Sequence, residues 1–262
     1  MPQPYIWANQ ELTEKPVPRI LNMHTHDFYE IFLFLAGDAN YHVEGIVYPL
    51  EPGDILILKN AEAHSMWINR IIPYERINIG FNADAILGEK QPLLKAFLDD
   101  RPLGQYNRYP AALFTNTPWK KYIEKIVAHR KDPAYMQLYL TVLLTELHEA
   151  QPLVAQNWQQ QKNQLVDIIN YINANYTRSL SIDSLCRHFY VSSTQLNRSF
   201  RNSTGVPVWK YILTKRLLYA KELLENGEAP AAACVKCGFH DYSPFFRAYK
   251  AHFGVSPSQH KK

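Results

Sequence analysis

Long apolar runs are missing from these 262 residues, and so is the charged-then-apolar opening of a secretory leader. No stretch reaches the roughly 20 consecutive apolar residues that a membrane-spanning helix requires, so the chain is read as soluble and cytoplasmic, with no membrane partner. Cysteine is scarce, at three residues. Three unmatched thiols build no disulfide framework and suit a reducing compartment. Cys234 and Cys237 stand in Cys-x-x-Cys spacing, yet no second Cys/His pair lies near them at ligand spacing. They are therefore read as small buried hydrophobes and not as a zinc or redox pair. Acidic residues run short at one end only. Residues 161–262 hold 14 Lys and Arg against 6 Asp and Glu, a balance of +8, while the remainder sums to −4. The whole-chain value of +4 hides that split. A basic end behind an acidic body is the distribution of a nucleic-acid reader joined to a domain with another task. The length leaves room for two domains, each with its own core.

What is present, and present twice, is a pattern between Leu180 and Pro257. Leu196, Arg198, Phe200 and Gly205 recur 49 positions later as Phe245, Arg247, Tyr249 and Gly254, and Cys186 recurs as Cys234. Such self-similarity marks one supersecondary unit used twice. In the first copy Ser181 caps a helix whose apolar side is Ile182, Leu185, Cys186 and Phe189. Tyr190-Val191 is the turn, and Ser192 opens a second helix with Leu196 and Phe200 facing inward. Its other side then presents Ser193, Thr194, Asn197, Arg198 and Arg201. In the second copy Gly238 fits the turn, and Ser243-Pro244 reads as an N-cap followed by proline at the first helical position. The outward side there is Tyr242, Ser243, Phe246, Arg247 and Lys250. Hydrogen-bonding and cationic side chains on the second helix of a helix-turn-helix suit base edges and phosphates in the major groove. Pro207 to Asn226 reads as one long helix ended by Gly227, holding the two readers at fixed separation.

With those residues in view, 162–258 resembles the AraC/XylS family of bacterial transcription regulators, most closely over Gly238 to Arg247 and Gly254 to Pro257. The resemblance implies two helix-turn-helix units on a linker helix. It implies base contacts at Thr194, Asn197 and Arg198, and at Tyr242, Ser243, Phe246 and Arg247. It also implies double-stranded DNA and RNA polymerase as partners.

The N-terminal half has a different texture. Met1 to Arg19 is a proline-dotted arm, equally consistent with a frayed terminus and with a segment lying across something. Strand patterns follow at Phe28–Ala36, Tyr41–Val43 and Ile46–Tyr48 about the Glu44-Gly45 turn, Ile55–Leu58, Met66–Ile68 and Tyr74–Phe81. Many short strands with Gly/Pro turns indicate a small sandwich or barrel. The even spacing of His24, His26 and Glu30 puts them on one face of a strand; His64 follows in a loop-like segment. The set resembles the two cupin motifs, so 20–82 is similar to the cupin-like sensor barrel common in this regulator family. In metal-dependent cupin enzymes the matching residues hold a divalent ion. The barrel mouth, lined by His24, His26, Glu30, His64, Arg76 and Asn78, suits a small polar effector that is sugar-like or a small organic acid. Tyr29, Tyr41, Trp67 and Tyr74 are available for stacking. No cofactor, metal or catalysis is expected, although His24, His26, Glu30 and His64 are the residues an ion would take. Leu87–Asp99, Trp119–His129 and Pro133–Glu149 read as helices. The last carries a stripe of Met136, Leu140, Leu143, Leu144 and Leu147, widened by Tyr135, Tyr139 and Val142. In the family, helices here commonly form a homodimer contact.

The expectation is thus an α+β two-domain protein. A cupin-like β-barrel with a helical dimerisation segment spans 1–150, a linker 151–162, and an all-α tandem helix-turn-helix domain 163–262. Its expected function is sequence-specific, effector-controlled transcription regulation. A metal cupin enzyme and a purely structural oligomerisation barrel, each fused to a DNA-binding domain, remain the rivals for the first half.

Overall fold

A computed structural model of the chain describes residues 3–17, 19–20, 23–60, 62–158 and 164–260. Two compact units divide it, Met1–Gln160 and Gln161–Lys262. Their secondary structure is of different kinds, β with a few helices and then helices alone, so the chain is α+β.

In the first unit, strands β1 (Ile6–Thr13), β2 (Arg19–Ile20), β3 (Tyr29–Ala36), β4 (Ala39–Val43), β5 (Ile46–Pro49), β6 (Ile55–Leu58), β7 (His64–Ile68), β8 (Tyr74–Phe81) and β9 (Arg108–Tyr109) form two antiparallel sheets. One has the order β1-β8-β3-β6-β9 and the other β2-β7-β4-β5. The barrel-like half is therefore two sheets that share a core, and among the described residues no strand pairing joins one to the other. Phe32, Phe34, Leu56 and Leu58 meet Tyr41, Val43, Met66 and Ile68 there. The alternate residues of the same strands, Ile31, Leu33, Ile55, Ile57, Ile77 and Ile79, pack under α1 (Gln91–Asp99), α2 (Trp119–Ala128) and α3 (Pro133–Gln156). Burial on both faces explains why β6, and β3 apart from Glu30, read as apolar runs and not as alternation.

Several boundaries depart from expectation for local reasons. The N-terminal segment is neither frayed nor a loose arm: β1 pairs with β8 in eight residue pairs, Ile6↔Phe81 to Thr13↔Tyr74. Trp7 lies over Gly80, where an added Cβ would come within 2.3 Å of the indole. His24 and His26 do not share a strand with Glu30. β3 begins at Tyr29, and His24 makes a lone bridge to His64. His64, expected in a loop, opens β7. The helix expected from Leu87 starts at Gln91, because Gly88 at φ 66° turns the chain first. Residues 151–156, expected to open the linker, continue α3; Val154 is buried against its own unit and holds the last turns in place. Trp158 then packs on Tyr48 and Tyr106. Positions 159–162 of the expected linker lie outside the described residues.

The second unit is α4 (Gln164–Asn175), α5 (Ile182–Phe189), α6 (Ser193–Thr204), α7 (Val208–Glu225), α8 (Pro230–Lys236) and α9 (Tyr242–Phe253). Ser181 and Ser184 form a reciprocal capping box, and the Ser192 hydroxyl accepts from the Gln195 N–H. Helix α9 begins earlier than Ser243: Asp241 occupies the N-cap position, so Pro244 falls at the third helical residue. Proline is tolerated there because first-turn N–H groups have no partner within the helix. No described helix is long and apolar enough to cross a membrane.

Candidate DNA interface and ligand site

The two helix pairs of the second unit repeat each other down to their turns. Val191 donates to the Cys186 carbonyl at 3.1 Å, and Phe239 donates to the Cys234 carbonyl at 3.1 Å. Tyr190 and Gly238 occupy the same left-handed position, at φ 55° and 90°. Gly238 also lies so close to the Thr177 carbonyl that a Cβ would sit 2.6 Å from its oxygen. The inward residues are as the repeat implies: Leu196, Phe200, Phe245 and Tyr249 are buried. On the outward side Ser193, Thr194, Arg198 and Arg201 are exposed, as are Tyr242, Ser243, Arg247 and Lys250, while Asn197 and Phe246 are half-buried. The Asn197 amide donates to the Ser193 carbonyl of its own helix at 3.0 Å. Reading a base edge therefore requires it to exchange that bond.

Helix α7 is tied to both pairs. Tyr211 packs edge-on against Phe200 and donates to Asn173. Arg216 donates to the carbonyls of Tyr176 and Arg178. Further along, Leu217, Ala220 and Leu224 join Cys234, Phe245 and Tyr249 in one core. Its 18 residues make a rod about 27 Å long, the scale of one turn of duplex at about 34 Å. Sequence reasoning missed Trp209. It is 55% exposed and shares a hollow with Asn197, Arg198 and Arg201. An indole within the apolar pattern of a long helix gave no sign that it would face out.

The thiols sit as expected of small hydrophobes. Cys234 and Cys237 are buried, Cys186 is half-buried, and all three are free. Burial, with the neighbouring Cys234, pushes the Cys237 thiol up to about 12.

In the first unit the residues expected at the barrel mouth converge. Glu30 is buried on the face of β3 that also carries Phe32 and Phe34. His26 Nε2 stands 2.8 Å from Glu30 Oε2, and His64 Nε2 stands 3.7 Å from the same oxygen. The Asn78 amide donates to the other oxygen, Oε1. Asn78 in turn accepts from Arg76 Nε at 2.9 Å, and Arg76 reaches Glu11 of β1 at 2.9 Å. A continuous polar chain thus runs from the edge strand to the buried histidine; Glu11 was not foreseen, because its role depends on the β1 pairing. The His24 ring meets the His64 ring edge-on at 4.3 Å between centroids, and Tyr41 stacks on His64 at 5.9 Å. Two of the expected stacking residues point elsewhere. Tyr29 lies in the core under the helices with its hydroxyl on Asp99, and Trp67 packs on His42, because neighbouring positions of a strand face opposite ways.

Charge at this site is set by burial and a few bonds. Burial pushes the His64 imidazole down to about 4, against the pull of Glu30, so it is neutral at neutral pH. For Glu30 burial works upward, but the bond to His26, the two imidazoles and Asn78 outweigh it and hold the carboxyl below its ordinary range. Beneath the histidine, Glu62 is buried in an ion pair with Arg101 at 3.0 Å and accepts from Gly104 and Asn107. This network fixes the Glu62 carbonyl, which accepts from His64 Nδ1 at 2.8 Å.

Comparison with known proteins gives the following. Residues 13–113 match the family described as "AraC-like ligand binding domain", and residues 185–262 match "Helix-turn-helix domain". The chain is similar to the Msm operon regulatory protein of Streptococcus mutans, 27% identical over 245 residues covering 90% of this chain and 84% of that protein. It is similar to the HTH-type transcriptional activator RhaR of Mannheimia succiniciproducens, 20% identical with 91% and 86% covered. Among solved structures it is similar to ToxT from Vibrio cholerae, 16% identical with 97% of each chain covered and a TM-score of 0.43.

Proposed function

This chain belongs to the AraC family of DNA-binding transcription regulators, with a ligand-binding domain ahead of a helix-turn-helix domain, and on that premise we propose how its residues divide the work. Helices α6 and α9 enter successive major grooves on one face of the duplex. Ser193, Thr194, Asn197, Arg198 and Arg201 contact one half-site; Tyr242, Ser243, Phe246, Arg247 and Lys250 contact the other. The observation that carries this is the doubled turn, with buried aromatic or aliphatic anchors behind an exposed polar and basic side on each second helix. Arginine offers a planar fork to guanine or phosphate, and Phe246 offers an apolar face to a thymine methyl.

A small polar effector, sugar-like or a small organic acid, binds the first unit beside His24, His26, Glu30, His64, Arg76 and Asn78. Its occupancy acts through the Asn78–Arg76–Glu11 chain on the edge strand. Switching then rests on a difference in effector affinity between two states. The chain works as a cytoplasmic homodimer that contacts RNA polymerase, and it is not an enzyme. Support for self-association comes from α3, whose outer side leaves Leu138 and Val142 exposed one turn apart beside Leu87, bonded to Thr141.

The test is recovery of bound sites from random DNA by the full chain. A sequence preference that is lost in the double variant Arg198→Ala, Arg247→Ala is the expected result. Binding with no sequence preference would leave only phosphate contacts.

A further inference from the structure

Four of the five tryptophans pack on another ring: Trp7 on Phe28, Trp67 on His42, Trp119 on Phe114 and Trp158 on Tyr48. Trp209, in the first turn of α7, is the exception among the described residues, and more than half of its surface meets water. The buried side of that turn is supplied by Val208, Tyr211 and Ile212, so the core of the unit does not draw on the indole. An aromatic ring with a hydrogen-bond donor on its edge is the kind of side chain that interfaces use most. The open hollow that Trp209 enters measures about 520 Å³. Its apolar part is Trp209 with Ile182 and Pro207; its polar and cationic part comes from α6, with Arg198 and Arg201 beside two asparagines. Neither guanidinium is held by a carboxylate among the described residues, whose ion pairs in this unit are Lys221–Glu225 and Lys236–Glu228. An apolar wall next to unclaimed positive charge matches one strand of duplex DNA, in which each deoxyribose lies between two phosphates.

We propose that Trp209 is a DNA-backbone contact. Its ring packs on a deoxyribose beside the first half-site, and its Nε1–H donates to the adjoining phosphate, which Arg201 also holds. Sugar and phosphate contacts fix the register of a reading helix and carry no sequence information of their own. Trp209 therefore positions α6 on the groove while Arg198 reads. The second copy has no counterpart: 49 residues on from Trp209 stands Ser258, in the short helical turn Pro257–His260 and not on a long helix. The two readers are thus unequal, and the first holds the backbone with an aromatic that the second lacks. The inference rests on the reading of α6 as a DNA helix and adds to it a residue outside the repeated motif.

The test uses the full chain on its selected site. Hydroxyl radicals attack deoxyribose, so their footprint reads sugar contacts directly. Trp209→Ala should uncover sugars next to the segment that Arg198 controls and leave those next to the Arg247 segment protected. Affinity should fall about tenfold, and by the same factor on random duplex, because the lost contact is blind to sequence. Arg201→Ala should lower the slope of log affinity against log salt by about 1, whereas Trp209→Ala should keep the parent's slope. Added DNA should quench the indole emission of the parent more than that of Trp209→Phe. Because the side chain lies in water, both Trp209 variants should unfold at the parent's temperature. An unchanged footprint and affinity in Trp209→Ala, or a loss confined to the selected site, would overturn the proposal. The ratio of selected to random affinity reports the reading of α6 and α9, and the affinity common to both reports Trp209, so either can fail alone.

Discussion

Tyr190 and Gly238 are the same position of one motif with different costs. A side chain at positive φ carries roughly 1–2 kcal/mol of backbone strain, and glycine carries none. Tyr190 is 94% exposed and gains nothing from packing there. Tyr190→Gly is therefore expected to leave stability within about 1 kcal/mol of the parent, relief of strain being offset by the freer unfolded chain. Gly238→Ala has no such relief, because its Cβ would press on the Thr177 carbonyl. A loss of about 2 kcal/mol or more is expected, read as a lowered urea midpoint at unchanged slope. Arg198 gives a functional counterpart. Arg198→Ala should cost about 1–3 kcal/mol on the selected site and much less on random DNA. Equal losses on both would demote it to a phosphate contact. The thiols allow a chemical check, since the thiolate is the reactive form. With Cys234 and Cys237 buried and Cys237 pushed up to about 12, a thiol reagent at neutral pH should modify Cys186 promptly and the other two only in denaturant. Three equally fast thiols would contradict the packing.

Among the elements, α3 has two unlike sides, one buried and one with Leu138 and Val142 exposed. Met136, Leu140, Leu143, Leu144 and Leu147 are buried against the first unit, each worth about 1.5–3 kcal/mol in burial, and none can serve a partner. The proposed dimer contact therefore falls to Leu138 and Val142. Leu138→Arg is expected to halve the mass seen by sedimentation while leaving thermal unfolding of dilute protein nearly unchanged. A dimer that survives it would move the contact elsewhere. Elements of this kind were legible because their periodicity is local: the stripe of α3, the strands at 55–58 and 74–81, and the repeated helix pairs all announce themselves. What stayed hidden depends on distant partners. β1 reads as an arm until β8 is there to pair with it, and β9 is two residues long. His24, His26 and Glu30 lie near one another, but not by sharing a strand. The sequence pattern put them on one strand, whereas a lone bridge at His24 and the start of β3 bring two separate segments together. The Glu62–Arg101 pair that orients His64 spans 39 residues, and no spacing rule connects them.

At the scale of the whole molecule the charge split and the two compact units tell one story, a basic reader joined to an acidic sensor. Because the second unit has its own core, residues 161–262 expressed alone should fold and keep the half-site preference. An unfolded fragment would mean the units support each other. The central claim is that α6 and α9 read DNA together from a common spacer. Hydroxyl-radical and methylation footprinting of the full chain on its selected site tests it most directly. Protection in two major-groove segments about 10–10.5 base pairs apart on one face is expected, with Arg198→Ala clearing one segment and Arg247→Ala the other. A single protected groove unaffected by either substitution would contradict it.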